Sequence, residues 1–446
     1  MKRANWTTLN EPQRAVALAR PDASYSKDLL EAVAAILDDV RLRGDAAVGD
    51  YTRRFDGVSA APLALTTGEI ERARAAVSDA VKRAVKDAIE RIERFHAACI
   101  PQPVAVETAP GVICERRPVP IDTVGLYVPA GRAPLPSTAL MLGVPSRLAG
   151  CRQRVLCVPP RKDGTVDPVV VYAATECGVS RIFRIGGAQA IAAMAWGTES
   201  IPRCDKIFGP GNAWVTAAKM LAAQGPNGVS IDMPAGPSEV MVIADDQANP
   251  AFVAADVLSQ CEHGPDSQAI VVCRSNDFAD AVERAIVDQL ATLKTRDTAR
   301  QSLEHSVSIV VDDEPAAIDV ANQYAPEHLI IQTASADQLS TQISSAGSVF
   351  VGHWTPETLG DYCSGTNHVL PTYGFARSTS GVSVDSFMRQ MTVQRASRDG
   401  LKTLAATATE LARAEGLDAH ARAVDIRLGD TESRWATQSM EKETQP

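Results

Sequence analysis

The segment SQCEHGPD, from Ser259 to Asp266, brings an amide, a thiol, a carboxylate and an imidazole together where an apolar helical stretch meets a Gly-Pro stop. Gln260 and His263 are one helical turn apart, so both side chains could face one ligand. A polar helix end that satisfies its own carbonyl groups explains the pair more simply. The pair alone therefore leaves both interpretations open.

Other metal ligands or proton-transfer groups must be sought among the seven histidines of the chain. His96 ends a predicted amphipathic helix and His305 precedes a predicted strand, so we interpret both as structural or solvated. His353 precedes Glu357 by four residues, but the Trp-Thr-Pro sequence between them disfavours a helix. The remaining candidates are His263, His328, His368 and His420.

Glu327 and His328 stand together in YAPEHLII, at the start of a predicted apolar strand, which places the pair at a sheet edge. At the loop end of a strand both side chains can reach one cleft, where a carboxylate and an imidazole suit proton transfer. An exposed strand end explains the pair equally well. Asp361, in GDYCSGTNHVLPT, is predicted to lie in a Gly- and Pro-rich loop, where it is either a turn former or a functional group.

Near the end of the chain, Glu415 and His420 are five residues apart. On one continuous helix this spacing would put them on different faces, but Gly416 could end the helix between them. A solvated helix is the simpler interpretation. The segment after Gly429 is polar and is predicted to be frayed.

Two glycine turns, GGAQA and GPGNA, each follow a predicted strand and precede a predicted helix. Amide groups at such helix starts can bind a pyrophosphate. Neither turn has the full G-x-G-x-x-G pattern, and G-x-x-x-x-G-K-[ST] is absent from the sequence. Ordinary strand-to-helix turns explain both.

The elements that position these groups follow from length and patterning. A chain of 446 residues exceeds the usual size of a single core, which predicts two or more domains. Apolar residues from Ile70 to Phe95 recur at helical spacing and predict one long amphipathic helix. Beyond it, strands and helices alternate in two blocks, followed by a charged helical stretch after about Thr392. The alternation predicts an α/β fold with mostly parallel sheets.

Composition narrows the class of protein. A net charge of -10 argues against a nucleic-acid partner. The N-terminus lacks the pattern of a secretory signal, and no run of eighteen apolar residues predicts a membrane span. The nine scattered cysteines form no C-x-x-C pair, which favours reduced thiols. We therefore expect a cytoplasmic protein that binds neither nucleic acid nor membrane.

Several long segments, taken together, closely resemble the histidinol dehydrogenases. They are GLYVPAG, GGAQAIAAMAWGTES, DKIFGPGNAWVT, IDMPAGPSEV, SQCEHGPDSQ, APEHL and GDYCSGTNHVLPT. The resemblance covers roughly residues 10 to 430. It implies oxidation of L-histidinol to L-histidine through histidinal with two NAD⁺, as the last steps of histidine biosynthesis. It also implies one Zn²⁺ per subunit.

The resemblance assigns roles to particular positions of this sequence. It implies catalytic bases at Glu327 and His328, with His328 taking the hydroxyl proton and Glu327 activating water. The implied zinc ligands are Gln260, His263, Asp361 and His420. The implied NAD⁺ contacts are Tyr127, Gln189 and Asn212. The implied substrate contacts are Ser238, Gln260, His263, His328, Asp361, Glu415 and His420.

The resemblance further implies two incomplete Rossmann-like domains with small helical N- and C-terminal domains, and a homodimer with shared active sites. In the implied division, residues 1–24 with 383–406 form a small helical domain, and residues 25–126 with 237–382 form the domain of metal and catalytic residues. Residues 127–236 form the NAD⁺ domain, and residues 407–446 form a segment that crosses the dimer. Cys261 and Cys363 stand beside implied zinc ligands where we expect small residues such as Ala. We hypothesise that these thiols make the site sensitive to oxidants.

The sequence leaves two rival functions open and argues against a third. A dehydrogenase of the same fold could act on another small alcohol, such as a sulfonated diol. A zinc hydrolase would use Glu327 and a metal-bound water, and would need no NAD⁺ contacts. A non-catalytic relative would be expected to lack at least one of the implied ligands or bases, all of which are present.

Overall fold

The computed structural model describes residues 1–21, 26–59, 62–130, 134–224, 227–234 and 236–429. The chain forms two compact units. The first consists of Met1–Ile100 and Ile121–Phe387, and the second of Pro101–Pro120 and the chain from Met388 onwards.

The strands, in chain order, are β1 (Lys2–Asn5), β2 (Val104–Ala109), β3 (Val112–Pro120), β4 (Thr123–Tyr127), β5 (Gln153–Val158), β6 (Arg181–Arg184), β7 (Lys206–Phe208), β8 (Ser230–Ile231), β9 (Glu239–Ala244), β10 (Gln268–Cys273), β11 (Val307–Val310), β12 (His328–Gln332), β13 (Ser348–Val351) and β14 (Met388–Ala396).

The helices are α1 (Glu11–Ala17), α2 (Lys27–Arg43), α3 (Asp45–Asp56), α4 (Thr67–Ala76), α5 (Asp79–Ala98), α6 (Pro136–Leu148), α7 (Pro168–Glu176), α8 (Gly187–Trp196), α9 (Ala213–Ala222), α10 (Pro250–Cys261), α11 (Asn276–Leu290), α12 (Arg296–His305), α13 (Glu314–Tyr324), α14 (Ala336–Ser340), α15 (Glu357–Tyr362), α16 (Arg398–Ala414) and α17 (Asp418–Leu428).

Two parallel sheets form the first unit. The six-stranded sheet has the order β1-β11-β10-β9-β12-β13, and the five-stranded sheet has the order β6-β5-β4-β7-β8. All strand pairs in both sheets are parallel. Helices between successive strands supply the crossovers that parallel pairing needs. The predicted α/β fold with mostly parallel sheets is thereby confirmed.

Alternating side chains of β9 build two cores on the six-stranded sheet. Val240 and Val242 pack in one cluster with residues of α10, α11 and α12, whereas Met241 and Ile243 pack in another with residues of α13 and α14. A strand that is covered on both faces must be apolar throughout, which explains why EVMVIA and QAIVVC are nearly continuous apolar runs.

The five-stranded sheet is covered by closely packed helices. Residues of α2, α8 and α9 form one cluster with β5, β6 and β7. Gly125, in the middle of β4, has no side chain because a Cβ there would lie 2.7 Å from the sulfur of Met194 on α8. This close approach fixes α8, and the glycine turn that precedes it, against the sheet.

The second unit contains an antiparallel sheet that the sequence analysis missed. Its strand order is β14-β3-β2, and α16 and α17 pack against each other in the same unit. The stretch after about Thr392 is therefore not helical at first, because β14 continues to Ala396. Repeated polar and charged residues in β14 hid its strand character.

Three other predictions about elements were wrong. The predicted helix from Ile70 to Phe95 is two helices, α4 and α5, since Ser78 caps a new helix by accepting a hydrogen bond from the amide of Val81. Residues 2–5, predicted in a helical domain, form β1 at the edge of the six-stranded sheet. Asp361, predicted in a loop, lies on α15. The rest of the four-part domain division stays a prediction.

The absence of a helix between His353 and Glu357 was predicted correctly, since α15 begins only at Glu357. Within the described ranges, no helix has the length and apolar character that crossing a membrane requires. The polar C-terminal segment lies outside the described residues from position 430 onwards.

His96 gives the fold a dependence on pH. Its imidazole, on α5, is 1% exposed, and neither ring nitrogen has a hydrogen-bond partner among the described residues. Burial lowers the pKa of His96 from 6.5 to about 4, although the charge of Asp385 acts in the opposite direction. The unfolded chain therefore binds a proton between these pH values that the folded chain does not, so stability falls as pH falls through this range.

We expect His96→Leu to remove this pH dependence, because leucine has no proton to gain on unfolding. In wild type, His96 lowers the free energy of unfolding at pH 5 by about 2 kcal/mol relative to pH 8. Thermal unfolding midpoints of wild type and variant, measured from pH 4.5 to pH 8, check the expectation. His305→Leu, at an exposed histidine, is the control. If the unfolding midpoints of wild type and His96→Leu change with pH in parallel, the expectation for His96 is wrong.

Candidate active site

A cluster of ionisable side chains lies at the amino ends of two neighbouring strands. Ser238 precedes β9, Glu327 precedes β12, and His328 is the first residue of β12. Because β9 and β12 are adjacent and parallel, with His328 opposite Val240, these residues meet at one edge of the sheet. The strand β12 is internal, between β9 and β13, and Glu327 and His328 lie at its start, as predicted.

Glu327 is buried among hydrogen-bond donors. Its Oε2 accepts hydrogen bonds from Oγ of Ser238 at 2.6 Å and from the amide of Glu239 at 3.0 Å. Burial raises the pKa of Glu327 well above its ordinary value, and the hydrogen bonds from Ser238 and Glu239 counteract part of this effect. The carboxyl group is therefore held in one position and is basic for a glutamate.

His328, 3% exposed, has acidic or carbonyl groups on both sides of its ring. Nδ1 lies 3.2 Å from the carbonyl oxygen of Glu239, 3.5 Å from Oε2 of Glu327 and 3.6 Å from Oε1 of Glu357. Nε2 lies 3.8 Å from Oδ1 of Asp361. An imidazole in such surroundings can exchange a proton with a bound molecule.

Glu357 and Asp361 enter the cluster from α15, one helical turn apart. Glu357 is 1% exposed, and neither of its carboxylate oxygens has a hydrogen-bond partner within the described part of the chain. Burial raises the pKa of Glu357 to about 8. Ligand atoms of His328, Glu357 and Asp361 all lie within 4.8 Å of one another, close enough to share a metal ion.

Gln260 and His263 come to the same region from α10. The helix ends at Cys261, so Gln260 is in its last turn and His263 is just beyond it. Gln260 is fully buried, and both its amide atoms lack partners among the described residues. Glu357 is near enough to α10 to raise the pKa of Cys261 by its charge. His263 is exposed.

A hydrogen bond joins α10 to β12. Nε2 of Gln332, the last residue of β12, donates to Oδ2 of Asp256 at 2.6 Å. Asp256 is buried, and burial raises its pKa to about 7. The bond fixes the position of α10 along β12, and therefore that of Gln260 relative to His328.

His368 connects α15 with the start of α6. Its Nδ1 lies 3.0 Å from the carbonyl oxygen of Asp361, and its Nε2 lies 3.2 Å from the hydroxyl of Thr138. Burial lowers the pKa of His368, and the charge of Asp361 raises it. The ring thus supports the backbone of Asp361, which is a structural role for one of the four candidate histidines.

The predicted nucleotide contacts lie at the carboxyl ends of strands of the five-stranded sheet. Tyr127 ends β4, and its hydroxyl accepts a hydrogen bond from the amide of Gly187 at 3.1 Å. Gln189 is buried on α8, with Oε1 unpartnered among the described residues. Asn212 caps α9 by accepting from the amide of Val215 at 3.2 Å. GGAQA and GPGNA are strand-to-helix turns, as predicted.

A buried lysine holds the second of these turns. Nζ of Lys219 donates to the carbonyl oxygen of Gly209 at 2.9 Å and forms an ion pair with Asp232, and both side chains are almost fully buried. Asp232 in turn accepts from the amide of Gly209 at 2.8 Å. This network keeps the backbone before Asn212 in one conformation.

Glu415 and His420 belong to the second unit. Glu415 caps the end of α16, Gly416 has a φ of +74°, and His420 lies in the first turn of α17, so the predicted break at Gly416 is present. Both side chains are exposed. Their proposed contact with the cluster of the first unit stays a prediction.

Glu357 is the residue that the sequence analysis missed. In the sequence Glu357 stands out only as the residue four positions after His353, and the helix that would pair the two is disfavoured there. The signal that could have found it is the Pro-Glu pair, since Pro356 caps α15 and an acidic residue follows at its first position.

The cluster combines basic carboxylates, an imidazole and an unsatisfied amide in one buried place. It can therefore orient a polar ligand, remove protons from it and supply oxygen and nitrogen ligands to a metal.

Comparisons with known proteins agree over nearly the whole chain. The family model for histidinol dehydrogenase matches residues 19–428. The chain is 56% identical over 429 residues to a histidinol dehydrogenase of Xanthomonas euvesicatoria, which covers 96% of this chain and 99% of that protein. It is 52% identical over 422 residues to one of Idiomarina loihiensis, covering 95% of this chain and 96% of that protein.

A solved structure agrees as well. The crystal structure of histidinol dehydrogenase from Elizabethkingia anophelis superimposes with a TM-score of 0.92 at 43% sequence identity, covering 97% of this chain and 99% of that one.

The structure does not favour an oxidant-sensitive Cys261. The residue, the last of α10, is fully buried in the core, and burial raises the pKa of its thiol to about 11. We expect iodoacetamide to modify the exposed Cys99 of the native protein and to leave Cys261 unmodified, because the reactive thiolate is scarce and inaccessible. Peptide mapping by mass spectrometry checks this, with urea-unfolded protein as the control in which both react. Comparable labelling in the native protein would contradict the expectation.

Proposed function

The chain belongs to the histidinol dehydrogenase family, and from this membership we propose that the cluster at β9 and β12 is its active site. The enzyme is an NAD-dependent oxidoreductase that converts histidinol to histidine in histidine biosynthesis. The observation that carries the assignment of the site is the buried pair Glu327 and His328, with Ser238 bonded to Glu327, within a chain that matches the family from residue 19 to residue 428.

We propose that His328 accepts the hydroxyl proton of L-histidinol as the first hydride leaves for NAD⁺. Histidinal then stays bound, and Glu327 takes a proton from the water that attacks the aldehyde. A second hydride leaves for a second NAD⁺, which gives histidine. The raised pKa of Glu327 supports this role, because a base must hold the proton it removes.

We propose that a zinc ion binds at the same cluster. The unpartnered amide of the buried Gln260 supports this, as does Asp361 at the edge of the cluster. We propose that Gln260, His263, Asp361 and His420 hold one zinc per subunit. Zinc, when bound, would supply a positive charge that orients the imidazole and amine of the substrate.

We propose that NAD⁺ binds along the carboxyl ends of β4, β6 and β7, where Tyr127, Gln189 and Asn212 stand at the ends of strands or the starts of helices. The amides at the starts of α8 and α9 suit the pyrophosphate. Oε1 of Gln189, buried without a partner among the described residues, suits a hydrogen-bond donor of the nucleotide.

We propose a homodimer in which Glu415 and His420 serve the site of the partner subunit. Large apolar side chains of the second unit are exposed, among them Leu411 at 61%, Ile426 at 55% and Val106 at 53%. Such surface is typical of an interface between subunits. A cytoplasmic location stays a proposal, supported by the nine free cysteines.

The decisive measurement is NADH formation from L-histidinol. Wild type should form two NADH per histidine, and His328→Asn should lower kcat by about 10²- to 10⁴-fold, because the proton acceptor is lost. His305→Asn, at an exposed histidine, should match wild type. No turnover of histidinol by wild type would refute the substrate, and full activity of His328→Asn would refute the site.

Zinc content tests the second unit's part in the site. His420→Asn should weaken zinc binding by at least about tenfold, since even groups behind a metal ligand contribute 10- to 100-fold. Zinc per chain, measured by atomic emission after dialysis against graded chelator, checks this, with His305→Asn as control. Unchanged zinc affinity would exclude His420 as a ligand.

A further inference from the structure

We propose that Glu357 is the positioning residue of His328, and that its carboxylate stabilises the positive charge that His328 gains when it accepts the substrate's proton. The inference rests on the proposed function, since it concerns the base of that reaction.

The surroundings of the ring define which nitrogen is the base. Nδ1 of His328 lies 3.2 Å from the carbonyl oxygen of Glu239, which can only accept a hydrogen bond. Nδ1 therefore carries the proton of the neutral ring and donates it to Glu239. Nε2 is left with the lone pair, and no group of the described residues is bonded to it. Nε2 is thus the atom that receives the hydroxyl proton.

Among the described residues, no hydrogen-bond donor compensates the burial of the Glu357 carboxylate. No hydrogen-bond donor among the described residues reaches either oxygen, and the carboxylates of Asp361, Glu327 and Asp256 all disfavour its negative charge. The charge of His328 favours it. A buried carboxylate without donors is costly unless a cation stands beside it. The protonated ring of His328, 3.6 Å away at Nδ1, is such a cation.

The chemical step uses this pair as follows. The carbon of the substrate alcohol loses a hydride to NAD⁺, and its hydroxyl proton goes to Nε2 of His328, so the C–O single bond becomes a carbonyl. The ring, protonated on both nitrogens, becomes a cation inside a buried site. Oε1 of Glu357 lies 3.6 Å from Nδ1, which is not the nitrogen that receives the substrate's proton. Glu357 therefore acts on the rate of proton removal and not on substrate binding.

A structural alternative is that Glu357 only stabilises the start of α15, where a negative charge is favourable. Glu314 provides a matched comparison, because it is the first residue of α13 in the same unit and is partly exposed. Removing the charge of Glu314 changes a helix start without changing the cluster.

The test is steady-state kinetics of the full-length, zinc-loaded enzyme with L-histidinol and NAD⁺ at about pH 9, where Glu357, with its pKa of about 8, is a carboxylate. Glu357→Gln should lower kcat by about 10- to 1000-fold, while KM for histidinol and zinc content stay within about twofold of wild type. Glu357→Asp, which keeps the charge, should retain at least about ten times the kcat of Glu357→Gln. Glu314→Gln should keep the kcat of wild type.

Other outcomes would overturn the inference. The inference fails if Glu357→Gln keeps the kcat of wild type, if its loss of activity lies in KM, or if it loses zinc. It also fails if Glu357→Asp is as slow as Glu357→Gln. If Glu357→Gln does not fold, the test rests on Glu357→Asp, which must then show a reduced kcat with unchanged KM and zinc content. A raised KM or a loss of zinc in Glu357→Asp would overturn the inference.

A wild type inactive on histidinol would overturn the proposed function as well. An active wild type beside an unimpaired Glu357→Gln would overturn this inference alone.

Discussion

Burial of ionisable groups at the amino ends of β9 and β12 is the constraint on which the rest of the structure depends. Glu327, His328 and Glu357 are all less than 10% exposed. Charge in such a place is unfavourable unless hydrogen bonds or opposite charges compensate it. Hydrogen bonds supply part of this compensation. Ser238 and the amide of Glu239 donate to Glu327, and the carbonyl of Glu239 faces Nδ1 of His328. A bound substrate and metal would meet the remainder, which makes the site ready to bind them.

The two parallel sheets carry their proposed site residues at opposite strand ends. The proposed nucleotide contacts lie at the carboxyl ends of strands, which is the usual place for ligands of open α/β sheets. The cluster of Glu327, His328 and Glu357, which we propose as the active site, is at the amino ends of the six-stranded sheet, where the last turn of α10 also lies. The bond between Asp256 and Gln332 fixes this arrangement, because it prevents α10 from sliding along β12. Buried Lys219 and Asp232 give the turn before Asn212 comparable rigidity.

Much of the fold could be predicted from the sequence. Continuous apolar runs such as VMVIA and AIVVC, alternating with helical stretches, are typical of parallel sheets because both faces of each strand are covered. The antiparallel sheet of the second unit escaped prediction. Both β2 and β14 are mostly exposed and β14 is rich in polar residues, so no buried apolar run marks them. In addition, β14 pairs with β3 across more than 260 residues of chain. Strand pairing at that separation depends on tertiary contacts that local sequence does not encode.

For the site, the sequence by itself determined which residue types are available and, through resemblance, which positions to examine. Only the tertiary structure decided their surroundings. It showed that Nδ1 of His328 faces a carbonyl oxygen, and that Glu357 is buried without a donor among the described residues. It also showed that Cys261, next to Gln260, points into the core. The physical reason is that burial and hydrogen-bond partners come from strands and helices distant in sequence, and these determine whether a carboxylate or an imidazole is reactive.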